Sequence, residues 1–255
     1  MEVPRRDVLK GVAAAAAATA LTQVTAAEAN AAGSAKSCTT PGGKDFPQIG
    51  GNYGNQNYSA LDDIHKGNVR RLGGAWVNRI EGGLNTGTNQ STAVAVDGVL
   101  YIESALGNVF AVDGRTGVTK WKYTQTRGTV TRRGVAVGDG KVFTHGKGNW
   151  VIALDQATGA VVWEKQILGY GTMEKVAITY HDGLLHLGTH DTARAAALAV
   201  SATDGTLVWN FWGIPGPGEF GHDTWEGDSW QVGGSTPWIH PALDPELGLI
   251  YWTFG

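Results

Sequence analysis

The run Ala111-Val112-Asp113-Gly114-Arg115-Thr116-Gly117-Val118-Thr119-Lys120-Trp121 decides the fold, because its skeleton returns twice. Ala153, Asp155, Gly159 and Trp163 keep the same spacing, and so do Ala199, Ser201, Gly205 and Trp209. Each copy follows an Asp-Gly pair and a short apolar run: Asp97-Gly98 before Val99-Leu100-Tyr101-Ile102, Asp139-Gly140 before Lys141-Val142-Phe143, and Asp182-Gly183 before Leu184-Leu185. With Trp76 and Trp252 added, successive tryptophans stand 45, 42, 46 and 43 residues apart. That is the period of a four-stranded propeller blade, about 40–50 residues.

The unit has a physical logic. Asp-Gly between apolar residues is a hairpin signal, since both positions tolerate positive φ. A second turn, Asp113 to Gly117, joins the next pair of strands, with Gly117 free to turn left-handed. One such sheet cannot bury both of its faces, so it must stack on neighbours, and the broad indole fills the gap between them. The alternative, chance tryptophans in a β-sandwich, leaves the shared register unexplained. The expected fold is an all-β, incomplete β-propeller of tryptophan-docking blades. Residues 45–255 would supply roughly four blades, the last cut off within Ile250-Tyr251-Trp252-Thr253-Phe254.

Composition agrees. Gly is 38 of 255 residues, Trp 10, and charged residues only 17%, which describes turn-rich β structure and not a disordered chain. A net charge of -3 with no Lys/Arg-rich run argues against nucleic acid as a partner.

The N-terminus reads as an export signal. Arg5-Arg6-Asp7-Val8-Leu9-Lys10 precedes an alanine-rich apolar segment, Gly11 to Ala27, and Ala29-Asn30-Ala31 is a small-residue cleavage site. The paired arginines resemble a twin-arginine (Tat) signal, with a general secretory signal as the alternative. The apolar run is short and weakly hydrophobic, so no stable membrane span is expected. The division expected is a signal peptide at 1–31, a flexible arm at 32–44 and the partial propeller at 45–255. The single cysteine, Cys38, cannot form an internal disulfide, and Lys36 beside it makes a poor lipid-attachment context.

The repeat Ala-x-Asp-x-x-x-Gly-x-x-x-Trp resembles the tryptophan-docking motif of the quinoprotein alcohol dehydrogenases, which use pyrroloquinoline quinone (PQQ). The similarity extends to Phe46-Pro47-Gln48-Ile49-Gly50-Gly51-Asn52, Tyr58-Ser59-Ala60-Leu61 and Asn68-Val69-Arg70-Arg71-Leu72 through Ala75-Trp76. It continues in Trp225-Glu226-Gly227-Asp228-Ser229-Trp230, Gly233-Gly234-Ser235-Thr236-Pro237-Trp238 and Leu243-Asp244-Pro245-Glu246. The resemblance implies an eight-bladed propeller, of which this chain holds the N-terminal part. It also implies bound PQQ with Ca²⁺ or a lanthanide, an alcohol or polyol substrate, and a cytochrome or quinone electron acceptor.

Carried over by position, Trp238 matches the indole lying flat on the quinone, a role suited to its broad π-surface. Arg133 matches the arginine that pairs with a quinone carboxylate, where a guanidinium fork fits two oxygens. Thr236 would line the pocket, and Asp191 is the nearest match to the carboxylate that binds the metal. For each there is a plainer reading: a core Trp, a solvated charge, a turn carboxylate.

The departures are as informative. The family's adjacent cysteine pair would fall at Arg127-Gly128 and is absent. Lys175 stands where a hydroxyl residue is expected, and the Asn completing the metal site would follow Gly255. The Asp that takes the alcohol proton belongs to a later blade, so no catalytic residue is expected within these residues. Seven scattered histidines give no zinc pattern, no phosphate-binding glycine loop opens a helix, and Glu226 with Asp228 reads as an orienting pair on a turn. Two readings follow: a PQQ-dependent dehydrogenase, present as a fragment inactive by itself, or a non-catalytic propeller scaffold that keeps the docking repeats.

Overall fold

A computed structural model describes residues 38–83, 89–128, 133–173, 176–190 and 193–255. The export signal at 1–31, Asp191 and Lys175 lie outside them.

Three four-stranded antiparallel sheets follow one another, each a simple meander. The first holds β1 (Val94–Val96), β2 (Val99–Glu103), β3 (Val109–Asp113) and β4 (Thr119–Tyr123). The second holds β5 (Ala136–Gly138), β6 (Lys141–Gly146), β7 (Trp150–Asp155) and β8 (Val161–Gln166). The third holds β9 (Thr179–His181), β10 (Leu184–Gly188), β11 (Ala196–Ser201) and β12 (Leu207–Trp212). A hairpin of β13 (Ala242–Asp244) and β14 (Leu249–Tyr251) comes last. The first strands approach one another, β1 with β5 and β5 with β9, so the sheets fan out as propeller blades.

The Asp-Gly hairpins form as their chemistry requires. Asp97 and Gly98 have φ of 49° and 75°, Asp139 and Gly140 49° and 68°, Asp182 and Gly183 44° and 73°. Positive φ at both positions matches the turn to the twist of the strands it joins.

Blades stack by dividing alternate residues between two neighbours. In the second blade Val142, Ile152 and Leu154 pack against the first, while Phe143, Val151 and Ala153 pack against the third. This is why β7 reads as an unbroken apolar run: both faces are buried, with Val151, Ile152 and Leu154 each contributing about 1.5–3 kcal/mol.

The docking motif is explained atom by atom. Each indole N–H donates to a backbone carbonyl of the next blade: Trp76 to Gly114 (3.0 Å), Trp121 to Gln156 (3.1 Å), Trp163 to Ala202 (3.2 Å). The same rings lie on the motif glycines. A Cβ at Gly117 or Gly159 would stand 2.5 Å from Trp76 or Trp121. The motif carboxylate holds the turn in shape: Asp155 accepts from the Ala157 and Thr158 N–H groups and the Thr158 hydroxyl, and Asp113 does the same at its own turn.

Two details of the structure lie outside the repeat. Residues 45–93 contribute no blade strand of their own among the described residues: β1 begins at Val94, and Phe46 adds a single bridge to Ala95. That stretch is rich in Gly and Asn and lacks the period-two alternation a strand needs. Trp252 keeps the period but not the role, since its indole donates to Ile239 within its own segment. The described residues thus hold three complete blades and one hairpin.

Candidate functional site

The docking turns and Asp-Gly turns sit together at one end of the blades, as the bond from Gly114 N–H to the Gly98 carbonyl shows. The connections between blades therefore emerge at the opposite end. Arg133, Gly134, Thr144, Gly188 and the run Ser235 to Trp238 all belong to that end or to loops reaching it.

Arg133 and Trp238, far apart in sequence, meet there. The guanidinium carbon lies 4.6 Å from the centre of the indole ring, a cation–π contact. Trp238 remains 46% exposed, so part of its π-surface is open. The backbone beneath it is fixed by close approach: a side chain at Gly188, ending β10, would collide with the Pro237 carbonyl. Thr236, two residues before the indole, is half-buried, and its N–H donates to the Gly255 carbonyl (2.8 Å).

Glu103, at the end of β2 and 3% exposed, anchors the arginine's neighbour. Its carboxylate accepts from the Thr144 hydroxyl (2.9 Å) and the Gly134 N–H (3.3 Å), tying two blades together beside Arg133. His240 is held below its ordinary pKa by burial first and by the Arg133 charge second, which keeps it neutral at pH 7. Neither Glu103 nor His240 stood out in the sequence, for an acid ending a strand and a lone histidine carry no spacing signal.

The other sequence-derived positions distribute as follows. Arg127, at the place of the missing cysteine pair, is committed to the second blade, pairing with Glu164 (2.5 Å) and lying 4.0 Å over the Trp150 ring. Glu226 and Asp228 are exposed residues of a turn. Asp191 lies outside the described residues.

A partly exposed indole beside a guanidinium offers the two kinds of contact, aromatic and cationic, that a planar aromatic carrying a carboxylate such as the quinone would use. A divalent or trivalent cation needs several hard oxygen ligands, and no group of three His, Cys, Asp or Glu side chains converges among the described residues.

Comparison with known proteins identifies the family of the blades. Residues 46–145 match the family of the glucose/ethanol/alcohol dehydrogenase β-propeller domain. Residues 128–224 match that of the outer membrane protein assembly factor BamB. Residues 2–22 match the twin-arginine signal sequence, so the chain is exported by that pathway; among the described residues no helix is long and apolar enough to cross a membrane. The chain is 33% identical to a quinohemoprotein alcohol dehydrogenase of Comamonas testosteroni over 85% of its own length and 34% of that protein's. It is 30% identical to quinohemoprotein alcohol dehydrogenase ADH IIB of Pseudomonas putida over 86% and 35%. The crystal structure of the Comamonas testosteroni quinohemoprotein superimposes with a TM-score of 0.70 at 29% identity, covering 83% of this chain and 35% of the other. A europium-containing methanol dehydrogenase gives 0.69 at 26% identity, covering 85% and 43%. The chain thus spans about a third of the length of these curated relatives. In sequence and in blade architecture it belongs to the quinoprotein alcohol dehydrogenase family, whose β-propeller it contains in part.

Proposed function

We propose that this propeller segment forms part of the quinone seat of an exported PQQ-dependent dehydrogenase acting on an alcohol or polyol. The contact of Arg133 with the partly exposed Trp238 carries the reading. Trp238 would offer the flat surface on which the cofactor rests, and Arg133 the charge that neutralises one of its carboxylates. Thr236 would line the same pocket, and Asp191 would contribute a hard oxygen toward Ca²⁺ or a lanthanide. Bound PQQ supplies a two-electron acceptor for alcohol oxidation. Glu103 holds the backbone at Gly134 and with it the start of the arginine side chain, while neutral His240 adds no second positive charge beside it. Electrons would pass on to a cytochrome or a soluble quinone. No described residue is assigned the proton-accepting role, so the 255-residue chain alone is expected to reduce no dye when alcohol is added.

The second reading, a non-catalytic propeller scaffold, is favoured by the fact that Arg127 occupies the place of the cysteine pair and is used up in blade packing. The match of residues 128–224 to the BamB family points the same way.

Titration with PQQ and Ca²⁺, followed by tryptophan fluorescence, separates the two. Saturable quenching that disappears in Trp238→Ala and weakens at least tenfold in Arg133→Ala supports the cofactor seat. No quenching in the unaltered chain refutes it and leaves the scaffold.

A further inference from the structure

Arg133 and Trp238 are attached to different blades, and one short segment touches the neighbours of both. Residues 44–57 carry no blade strand, yet they run past the first strands of successive sheets. Phe46 bridges Ala95 on β1. Tyr53 meets the His181 ring on β9 edge-on, with centres 4.8 Å apart, and its carbonyl accepts the Leu243 N–H on β13 (2.9 Å). Two further contacts reach the candidate site. A Cβ at Gly134, next to Arg133, would stand 3.2 Å from Ile49 Cδ1, so the isoleucine closes on the main chain there. The Asn55 side-chain amide donates to the Pro241 carbonyl (3.0 Å), 186 residues away in sequence and just beyond Trp238.

The segment is tied into a block by its own hydrogen bonds. Gly51 N–H bonds the Gln48 carbonyl (2.9 Å), Asn55 N–H that of Asn52 (3.0 Å) and Asn57 N–H that of Gly50 (2.8 Å). The buried Asn52 amide donates to both the Thr40 carbonyl and the Gln56 side chain. A Cβ on Gly50, whose φ is 86°, would come within 2.9 Å of Asn55 Cα. Asn55 itself is left-handed (φ 53°), a conformation that asparagine enters more readily than most side chains. Ile49 and Asn55 are therefore held at a set separation.

Trp238 has supports on its own side as well. The Pro237 carbonyl lies against Gly188, and the Ile239 carbonyl accepts the Trp252 indole N–H (2.6 Å). Those supports belong to the third blade and the last hairpin, and neither refers to Arg133. From Arg133 the path through the blades crosses successive docking interfaces, each adding its own freedom to a 4.6 Å contact. The path through the block runs directly from Gly134 to Pro241.

We propose that Asn55 is a positioning residue of the quinone seat, fixing Trp238 through Pro241 at the distance from Arg133 that the Ile49–Gly134 contact sets at the other end of the block. The curvature of the blade stack brings the two side chains together, and the block decides how closely they meet. For the pair itself the claim needs no cofactor; its consequence for PQQ rests on the function proposed above.

The test uses the full chain and two readouts. Without cofactor, the indole ring current displaces the NMR signals of the Arg133 side-chain protons, and Trp238→Ala identifies those signals by abolishing the displacement. Asn55→Gly keeps the left-handed backbone but deletes the amide, and should at least halve the displacement. Asn55→Asp keeps the shape but offers an acceptor where a donor is needed, and should do the same. Gly140→Ala, at a turn far from the site in the second blade, should leave it unchanged. With PQQ and Ca²⁺, the midpoint of tryptophan quenching should rise about fivefold in Asn55→Gly, as expected for one lost hydrogen bond. An unchanged displacement in the Asn55 variants, or an equal loss in Gly140→Ala, overturns the proposal. A halved displacement with an unmoved quenching midpoint overturns the role toward the quinone. A halved displacement in a protein whose unaltered chain shows no quenching upholds the brace and refutes the cofactor seat instead.

Discussion

Two glycines of the second blade allow the docking contact to be weighed separately from backbone strain. Gly159 (φ 74°) and Gly140 (φ 68°) adopt nearly the same left-handed backbone. A Cβ at Gly140 meets nothing within 4 Å, whereas one at Gly159 would stand 2.5 Å from Trp121 Cε3 and 2.7 Å from Cδ2. Gly140→Ala therefore costs the left-handed conformation alone, about 1 kcal/mol. Gly159→Ala costs the same and in addition displaces a packed indole, about 1–3 kcal/mol more. The displaced ring also weakens its 3.1 Å bond to the Gln156 carbonyl, placing the total at about 2–4 kcal/mol. Urea unfolding of both variants measures the difference, provided the slopes with denaturant stay equal. A cycle with Trp121→Leu assigns it: in that background the excess cost of Gly159→Ala should vanish, because the atoms it strikes are gone. Equal costs for the two glycines, or an excess that survives Trp121→Leu, would refute the account of why the motif pairs glycine with tryptophan.

Acid should destabilise the propeller in two separable steps. Burial, with His181 adding to it, lowers the His186 pKa to about 4. Between about pH 6.5 and 4 the unfolded chain thus binds the extra proton, and stability falls as pH falls, by about 3 kcal/mol in all. His186→Phe should flatten that stretch of the pH–stability curve, and an unchanged slope would contradict the burial. Bonds from the Thr116 and Thr158 hydroxyls and N–H groups lower the pKa of Asp113 and Asp155. Their contribution is complete above about pH 4 and is lost as pH drops through the lowered folded values, so Asp155→Asn should lessen the loss seen below pH 4. Glu103→Ala should cost about 2–5 kcal/mol, since it strands the buried Thr144 hydroxyl and Gly134 N–H, whereas Glu103→Gln should cost less; urea midpoints decide, and a loss under about 1 kcal/mol for the alanine variant would show the carboxylate is dispensable.

What the sequence revealed and what it hid divide along one physical line. The docking motif was legible because its parts, glycine turn and indole, act on successive blades at a nearly constant chain distance, so the contact leaves a period. The Asp-Gly turns were legible because both residues need positive φ, and few residue types permit it. Trp252 shows the limit of a period: it has the spacing, but what an indole touches depends on whether a docking glycine of the next blade lies within reach. Arg133 and Trp238 were singled out only through resemblance. Arg133 lies between the first and second blades and Trp238 beyond the third, so only the curvature of the blade stack brings them to 4.6 Å.

That curvature also explains why the site draws on residues with no motif of their own. Each blade interface is a glycine-on-indole contact, and it sets the angle between sheets without reference to the loops at the opposite end. The loops are consequently free to carry whatever chemistry the hub requires, and at this end of the chain they carry a guanidinium, a partly exposed indole and a buried carboxylate that positions one of them. Cysteine is missing from Arg127-Gly128 at no expense to the blades, because Arg127 there packs on Trp150 and pairs with Glu164. Blade packing and cofactor chemistry are therefore separable in this fold. A family member can lose the second while keeping the first, and the presence of docking motifs alone says nothing about redox activity. The Trp238→Ala titration is decisive for that reason: it perturbs an exposed indole that docks no blade, so a loss of quenching reports on the ligand and not on the stack.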